Sequence, residues 1–325
     1  MTEPISTTPG TGSQPGTGTP SVAVPLVTIV ALCYNHAPFL AEALDSILAQ
    51  TYPNLEVILV DDASTDASLP ILRRYAAAHP GWQTIFLPRN QGNCRAFNQA
   101  FRRAQGDFFI DFATDDVLLP QRVAQQVACF QQLPADYGVV YSDAELIDEA
   151  SRHVRYHYRR AAHQQLHPRP ASGDVFADVL RRYFISTPTM LMRRTVLEQL
   201  RGYDETLAYE DFDFWVRAAR NFRFYFLDEV TTQKRLHPAA MSRRGYRPND
   251  PFLASTIQVC RKALGLCRTP AEQAALGVRL RWELRQAVRW GNFREAHELF
   301  GLLRAVGATT ILDWALGTWS AWRSR

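Results

Sequence analysis

From Leu26 onward the chain alternates short, nearly continuous apolar runs with stretches whose apolar residues recur at helical spacing. Leu26-Val27-Thr28-Ile29-Val30-Ala31-Leu32 has strand length and β-branched character, the pattern of a strand buried on both faces. Phe39, Leu40, Ala43, Leu44, Ile47 and Leu48 then recur three and four apart behind Pro38, which a first helical turn tolerates. Residues 56–60 read as a second buried strand, ending at Asp61-Asp62. A helix is predicted over 68–78, a strand over 84–87, a helix from about 94 to 103, and a fourth strand over 107–112. Strands and helices in strict alternation, with short links, predict a mainly parallel sheet with helices on both faces.

The second half is less regular. Strands are predicted at 138–142 and 189–192, and helices at 195–200 and 210–220, the latter with Phe212, Trp215, Val216 and Ala219 on one face. Residues 152–170 read as a basic, aromatic, His-rich connection. Beyond Pro251 the pattern is helical, with breaks at Gly265, Thr269-Pro270, Gly291 and Gly307. The first 22 residues are mostly Thr, Pro, Gly and Ser and predict a disordered tail; they lack the basic start and apolar stretch of a secretory signal. No apolar run approaches the ~20 residues that span a membrane. A soluble protein is expected, attached at most to a membrane surface.

With 46% hydrophobic and 21% charged residues, wholesale disorder is excluded. A net charge of +4, from 36 Lys+Arg against 32 Asp+Glu, calls for no nucleic-acid partner. Cys33, Cys94, Cys129, Cys260 and Cys267 are scattered, odd in number and without a CxxC pair. They suit buried free thiols in a reducing compartment better than a disulfide framework or a cysteine zinc site.

Ligands of open parallel sheets bind beyond the carboxyl ends of the strands. There the sequence collects Tyr34-Asn35, Asp61-Asp62 and Asp115-Asp116. Each cluster alone could be a set of turn-forming residues. Three at successive strand ends point to a site.

In these residues the chain resembles the family 2 glycosyltransferases, enzymes of the GT-A fold that use nucleotide-diphosphate sugars. The resemblance runs from residue 26 to about 242. It rests on Val27-Thr28-Ile29-Val30 leading to Tyr34-Asn35, on Gln50-Thr51-Tyr52-Pro53 through Asp61-Asp62-Ala63-Ser64, and on Asn90-Gln91-Gly92 with Asn98. Ala113-Thr114-Asp115-Asp116, Gly202-Tyr203-Asp204-Glu205, Glu210-Asp211 and Arg235-Leu236-His237 with Ser242 complete it. It implies a GT-A domain at 23–245 with a nucleotide-binding half (23–120) and an acceptor half (121–245), flanked by the compositional tail at 1–22 and the helical extension at 246–325.

The resemblance also assigns roles. Asp62 matches the position that reads the base, with Tyr34 placed to stack on it, and Asn35, Asn98 and Asp115 join the nucleotide site. Asp116 matches the metal-ligating carboxylate, although Ala113 stands where an acidic residue is commoner, and His237 matches a position near the metal or diphosphate. A divalent Mg²⁺ or Mn²⁺ needs one or two protein carboxylates plus phosphate oxygens, and it offsets the charge of a departing diphosphate. Asp211 matches the base that deprotonates the acceptor hydroxyl in a single, inverting displacement. Of Glu210, Asp211 and Asp213, at least one must face elsewhere and simply complement the helix N-terminus. Glu210, Arg159 and Arg160 are candidate acceptor contacts.

The expected activity is therefore transfer of a sugar, from a UDP-type donor, to a glycan or lipid-linked acceptor in the cytoplasm or at the inner face of the cell membrane. A nucleotidyltransferase would want a Gly-rich basic loop after the first strand, where Cys33-Tyr34-Asn35-His36 stands. A binding protein without chemistry would have no use for Asp211. His153 and His157, and His163 and His167, are each four apart, but the arginines around them oppose a cation, and a flexible acceptor-side loop fits better. The C-terminal helices, rich in Arg and Trp, suit either an anionic membrane surface or packing against the catalytic domain or a second copy.

Overall fold

The computed structural model describes residues 24–160, 166–238, 247–248, 250–307 and 309–323. The tail expected at 1–22, His163 and Ser242 lie outside the described residues. The first half follows the predicted alternation: β1 (Val27–Cys33), α1 (Leu40–Leu48), β2 (Leu55–Asp61), α2 (Ser68–Ala78), β3 (Gln83–Phe86), α3 (Asn93–Phe101) and β4 (Phe108–Ala113). These four strands are parallel, and Val27 of β1 lies opposite both Leu55 and Phe108.

Then come β5 (Val117–Leu118), α4 (Arg122–Gln132), β6 (Tyr137–Ile147), β7 (His153–Tyr156), α5 (Phe176–Arg181), a 3-10 turn at Thr187–Thr189, β8 (Leu191–Arg193), α6 (Arg194–Leu200), α7 (Asp211–Ala219) and β9 (Arg223–Arg235). The sheet order is β3-β2-β1-β4-β8-β6-β9-β5, with β7 on β6. Only β5, β7 and β8 run antiparallel to their neighbours. Helices α8 (Pro251–Leu266), α9 (Pro270–Arg289), α10 (Phe293–Ala305) and α11 (Ile311–Arg323) follow.

Both faces of the central strands are buried, and successive side chains feed different cores. Ile29 and Ala31 pack with Leu44 and Val123 on one face. Val30 and Leu32 pack with Phe97 and Trp215 on the other. That second core continues into Leu253, Ile257, Leu280 and Leu299 of α8–α10, where α8 packs on α7 and α9 on α5.

Three differences from the sequence reading have physical causes. β9 was not expected, because Asp228 and Glu229 interrupt its apolar pattern at exposed positions where its pairing with β6 shifts register. Residues 153–156 form an edge strand within the expected connection; backbone pairing with β6 suffices there, since all four side chains are exposed. Gly265 does not break a helix, because α8 runs through it to Leu266, whereas Thr269 does begin α9, with a reciprocal cap to Glu272. The five cysteines are free thiols, with Cys33, Cys94 and Cys260 buried. Among the described residues, no helix is long and apolar enough to cross a membrane.

Candidate active site

The register of β1 with β2 and β4 brings their carboxyl ends side by side: Cys33 lies opposite Asp61, and Leu32 opposite Ala113. The turns beyond are tight. Asn35 and Ala63 both adopt φ of 60°, a left-handed conformation that a β-carbon disfavours. Hydrogen bonds between the two loops hold it: Asn35 N–H donates to Ser64 Oγ (3.0 Å), and Thr65 N–H donates to Asn35 Oδ1 (2.7 Å). Tyr34, beside them, stays 45% exposed.

Asp62 is buried and accepts from the backbone N–H groups of Gln91 (2.7 Å) and Gly92 (2.8 Å). Burial raises its carboxyl above the usual range; the two amides pull it back down, and Asp61 adds to the rise. Each carboxylate oxygen has a second lone-pair site, so Asp62 can fix the 90–92 loop and still accept from a ligand.

At the third strand end the two acidic side chains diverge. Asp115 Oδ2 accepts from His237 Nε2 (2.9 Å), and His36 Nε2 lies 4.0 Å away. Burial opposes ionisation of Asp115, yet the His237 bond and the nearby His36 and His237 hold its carboxyl below the usual range. Asp116 Oδ1 accepts the Arg235 backbone N–H (2.8 Å). Burial, and then Asp115, push its carboxyl up to about 8. The Arg235 side chain is structural: it bonds Asp115 O, Asp148 O and Glu42 Oε2 (2.6 Å) and lies over Phe39.

The donor set fits a hard divalent cation. Asp115 Oδ1 is buried with no hydrogen-bond partner among the described residues, and the ionised form of Asp116 is disfavoured without a counter-ion. Among the described residues no group of three or more His, Cys, Asp or Glu forms a ready-made metal site. Ligand oxygens would have to complete the shell. His237 already holds Asp115 through Nε2 and reads as the residue that orients it.

Asp115 and Asp116 line a cavity of about 440 Å³ together with Asp111, Glu210, Asp211 and Lys234. Tyr183, Tyr209, Trp215 and Phe252 supply its aromatic surface. Glu210 and Asp211 sit where α7 begins, and each has a buried oxygen with no partner among the described residues. Burial, then Asp211 and Asp111, raise Glu210 well above the carboxylate range. Asp211 is raised by burial too, but a hydrogen bond from Glu210, the Lys234 charge and the Thr187 hydroxyl pull the other way. The Asp211 charge thus favours the protonated form of Glu210, while the Glu210 bond, Lys234 and Thr187 favour the ionised form of Asp211.

Several expected residues have other work. Asn98 gives its amide wholly to the 202–205 turn: Nδ2 donates to Tyr203 O (2.9 Å) and Glu205 Oε1 (3.0 Å), and Oδ1 accepts from Tyr203 N–H (2.9 Å). Gly202, at φ 75°, permits this contact, since a β-carbon would lie 2.3 Å from Asn98 Oδ1. This corrects Asn98 from nucleotide contact to clamp. Arg160 binds buried Asp143 (2.9 Å) and Asp228 (3.2 Å), a bridge within the sheet edge rather than an acceptor contact. Arg159 is exposed and does not line the cavity. His153 is on Glu145 and His157 on Phe184 O, so the spacing of four does not gather a metal site in a strand. Asp213 is the α7 carboxylate that turns away; it is buried against Arg217 (2.6 Å) and Lys262 (2.6 Å).

Asp111 and Lys234 were not among the candidates. Asp111 is a lone charge inside an apolar strand, Phe108–Ala113, and such a charge is costly without a function or partner. Lys234 belongs to the unpredicted strand.

The sequence profile described as Glycosyl transferase family 2 matches residues 28–201, more than half of the chain. The chain belongs to that family. Among the relatives of this family 2 chain, an uncharacterized glycosyltransferase of Rickettsia prowazekii is 32% identical over 220 residues, covering 66% of this chain and 65% of the relative. The putative glycosyltransferase EpsE of Bacillus subtilis is 32% identical over 248 residues, covering 73% and 83%. The chain thus spans just under two thirds of the Rickettsia relative. Among solved structures, S. aureus TarS 1–349 in complex with UDP superposes with a TM-score of 0.66 at 18% identity, covering 92% of this chain and 87% of that one. The mannosyltransferase PcManGT of Pyrobaculum calidifontis, in complex with GDP-Man and Mn²⁺, gives 0.54 at 20% identity, covering 96% and 88%. The fold of the family 2 chain is of the GT-A type.

Proposed function

We propose that the protein is an inverting glycosyltransferase that moves a sugar from a UDP-linked donor to a hydroxyl of a glycan or lipid-linked acceptor, on the cytoplasmic side of the cell membrane, in cell-surface polysaccharide synthesis. One observation carries the reading: the acidic pair Asp115-Asp116 and the carboxylate Asp211 line the same cavity. The donors bound in TarS and PcManGT support a nucleotide sugar, and the uridine of the TarS complexes favours UDP.

In this reading Tyr34 stacks on the base while Asp62 accepts from its N3–H. Asn35 and Ser64 hold the loops that frame it. Asp115, oriented by His237, faces the ribose or the sugar, and Asp116 would hold the divalent cation, Mn²⁺ or Mg²⁺. When bound, the cation offsets charge on the leaving diphosphate. Lys234 adds a positive charge to the same cavity. Asp211 takes the proton of the acceptor hydroxyl as its oxygen bonds to the anomeric carbon and the bond to the diphosphate breaks, so the configuration inverts. Glu210, kept protonated by burial, donates to Asp211 and keeps it anionic until that moment. The aromatic surface of Tyr183, Tyr209 and Phe252 offers an acceptor sugar its apolar ring faces.

A nucleotidyltransferase is disfavoured, because the loop after β1 has no glycine-rich phosphate cradle; it is tied to Ser64 and Asp66 instead. The test is a screen of nucleotide sugars for thermal stabilisation with and without Mn²⁺, followed by proton NMR of the product linkage. A UDP-sugar that stabilises only with the cation, and an inverted anomeric configuration, are the expected results. Retained configuration overturns the single displacement.

A further inference from the structure

Helix α11 is amphipathic in the opposite sense to a surface helix that packs on a core. Its buried residues are Asp313, Gly317 and Ser320. Ile311 (91% exposed), Leu312 (52%), Trp319 (44%) and Trp322 (69%) face outward. The inward face is built rather than incidental. Asp313 accepts from Arg281 Nε on α9 (3.0 Å) and from the N–H and hydroxyl of Thr310 (2.8 Å each). These bonds hold its carboxyl below the usual range against the opposing effect of burial. Gly317 lets α11 close on α10, since a β-carbon there would lie 2.2 Å from the Phe300 ring. Rolling the helix to hide its apolar side would strand the Asp313 and Arg281 charges and drive a side chain into Phe300.

The C-terminal helices that carry this face are net positive. Residues 251–325 carry eleven Lys+Arg against five Asp+Glu. Of the acids, Asp313 and Glu283 are buried, Glu272 and Glu298 pair with Arg220 and Arg261, and Glu295 is half-buried on α10. Arg285 and Arg289 are exposed on α9, beside the half-exposed Trp290. Indole rings favour the headgroup level of a bilayer, and arginine reaches lipid phosphates while its stem stays in apolar surroundings. Thirteen residues make a helix of about 20 Å, too short to span but long enough to lie in the interface. A second copy docked on the same face would set two net-positive helical regions against each other.

We infer that α11 is an in-plane membrane anchor that seats Ile311, Leu312, Trp319 and Trp322 in the interfacial layer of an anionic bilayer. The inference goes beyond the transferase reading, and its test needs neither donor nor acceptor. The full chain is sedimented with phosphatidylcholine vesicles that contain or lack phosphatidylglycerol. It binds those that contain it, and more weakly as salt is raised. Ile311→Ser with Trp322→Ser lowers the partition coefficient roughly tenfold or more. Arg285→Gln with Arg289→Gln lowers it roughly tenfold on anionic vesicles alone. Both pairs of changes lie at exposed positions and leave the thermal midpoint unchanged, which separates lost binding from lost folding. The inference is overturned if the wild-type chain stays in the supernatant with both vesicle types, or if the Ile311/Trp322 variant binds as well as wild type. It is equally overturned if light scattering finds a dimer that this variant abolishes, because the face then belongs to a second copy.

Discussion

The loops proposed to bind the donor follow adjacent parallel strands and meet the cavity at Asp115 and Asp116, whereas the proposed base side is gathered from the middle of β4, the turn at Thr187, the start of α7 and the end of β9. In the strand-end loops backbone amides fix two carboxylates: Asp62 by Gln91 and Gly92, Asp66 by Ala37 and Ser68. On the proposed base side Asp111, Glu210 and Asp211 are carboxyls pressed together under burial, two of them with an oxygen that has no partner among the described residues. The first arrangement is a rigid cradle, suited to binding. The second stores unfavourable charge and is suited to moving a proton.

The largest effect that separates the two sides is expected at Asp211. Asp211→Asn keeps the shape of the side chain but cannot take a proton, so transfer slows by roughly 10²–10⁴-fold, the usual worth of a general base. Steady-state kinetics at saturating donor measures it, and a near-normal rate would move the base elsewhere. Asp213→Asn is expected to act on the fold instead. Its carboxylate joins Arg217 and Lys262, so the change costs about 1–3 kcal/mol of stability by denaturant titration and leaves the rate per folded molecule alone. A slowed rate with unchanged stability would put Asp213 on the cavity.

A smaller effect follows from pH. Asp111 has its carboxyl pushed up to about 7, by burial first and then by Asp211, against a hydrogen bond from Tyr203 (3.0 Å). A carboxyl whose pKa is higher folded than unfolded holds more protons in the folded state, so its stabilisation is complete below the ordinary carboxylate range and is lost as pH rises through the folded value. The thermal midpoint of the ligand-free protein should therefore fall between about pH 5 and pH 7, and Asp111→Asn should flatten the fall. A midpoint level across that window in the wild type contradicts the burial argument. The smallest effect is expected of Glu210→Gln, whose amide still donates to Asp211. Transfer should slow by less than about tenfold, with the acid limb of the pH–rate profile displaced. A loss as large as that of Asp211→Asn would make Glu210 the base.

The same contrast explains what could be read from the chain. The first half of the fold was legible because its strands are buried on both faces, and the candidates Tyr34, Asp62 and Asp115 stand just past the ends of β1, β2 and β4. The base side was legible only at Asp211, through its motif. Lys234 was hidden because β9 carries Asp228 and Glu229 in mid-strand and pairs with β6 through bulges, so no period of two survives. The aromatic surface of the cavity needs Tyr183, Tyr209 and Phe252 from three separate segments, a juxtaposition that spacing along the chain does not encode. Asn98 misled because a buried amide reads alike in sequence whether it meets a ligand or a neighbouring turn.

The central claim is that donor binding and acceptor deprotonation belong to different carboxylates in one cavity. Calorimetric titration of UDP in Mn²⁺ on Asp116→Asn and Asp211→Asn, side by side with wild type, tests it most directly. The account predicts that Asp116→Asn loses the cation-dependent affinity, because an amide supplies no charge to hold the metal, while Asp211→Asn binds UDP as wild type does. Equal affinity in Asp116→Asn, or a loss in Asp211→Asn, would contradict it.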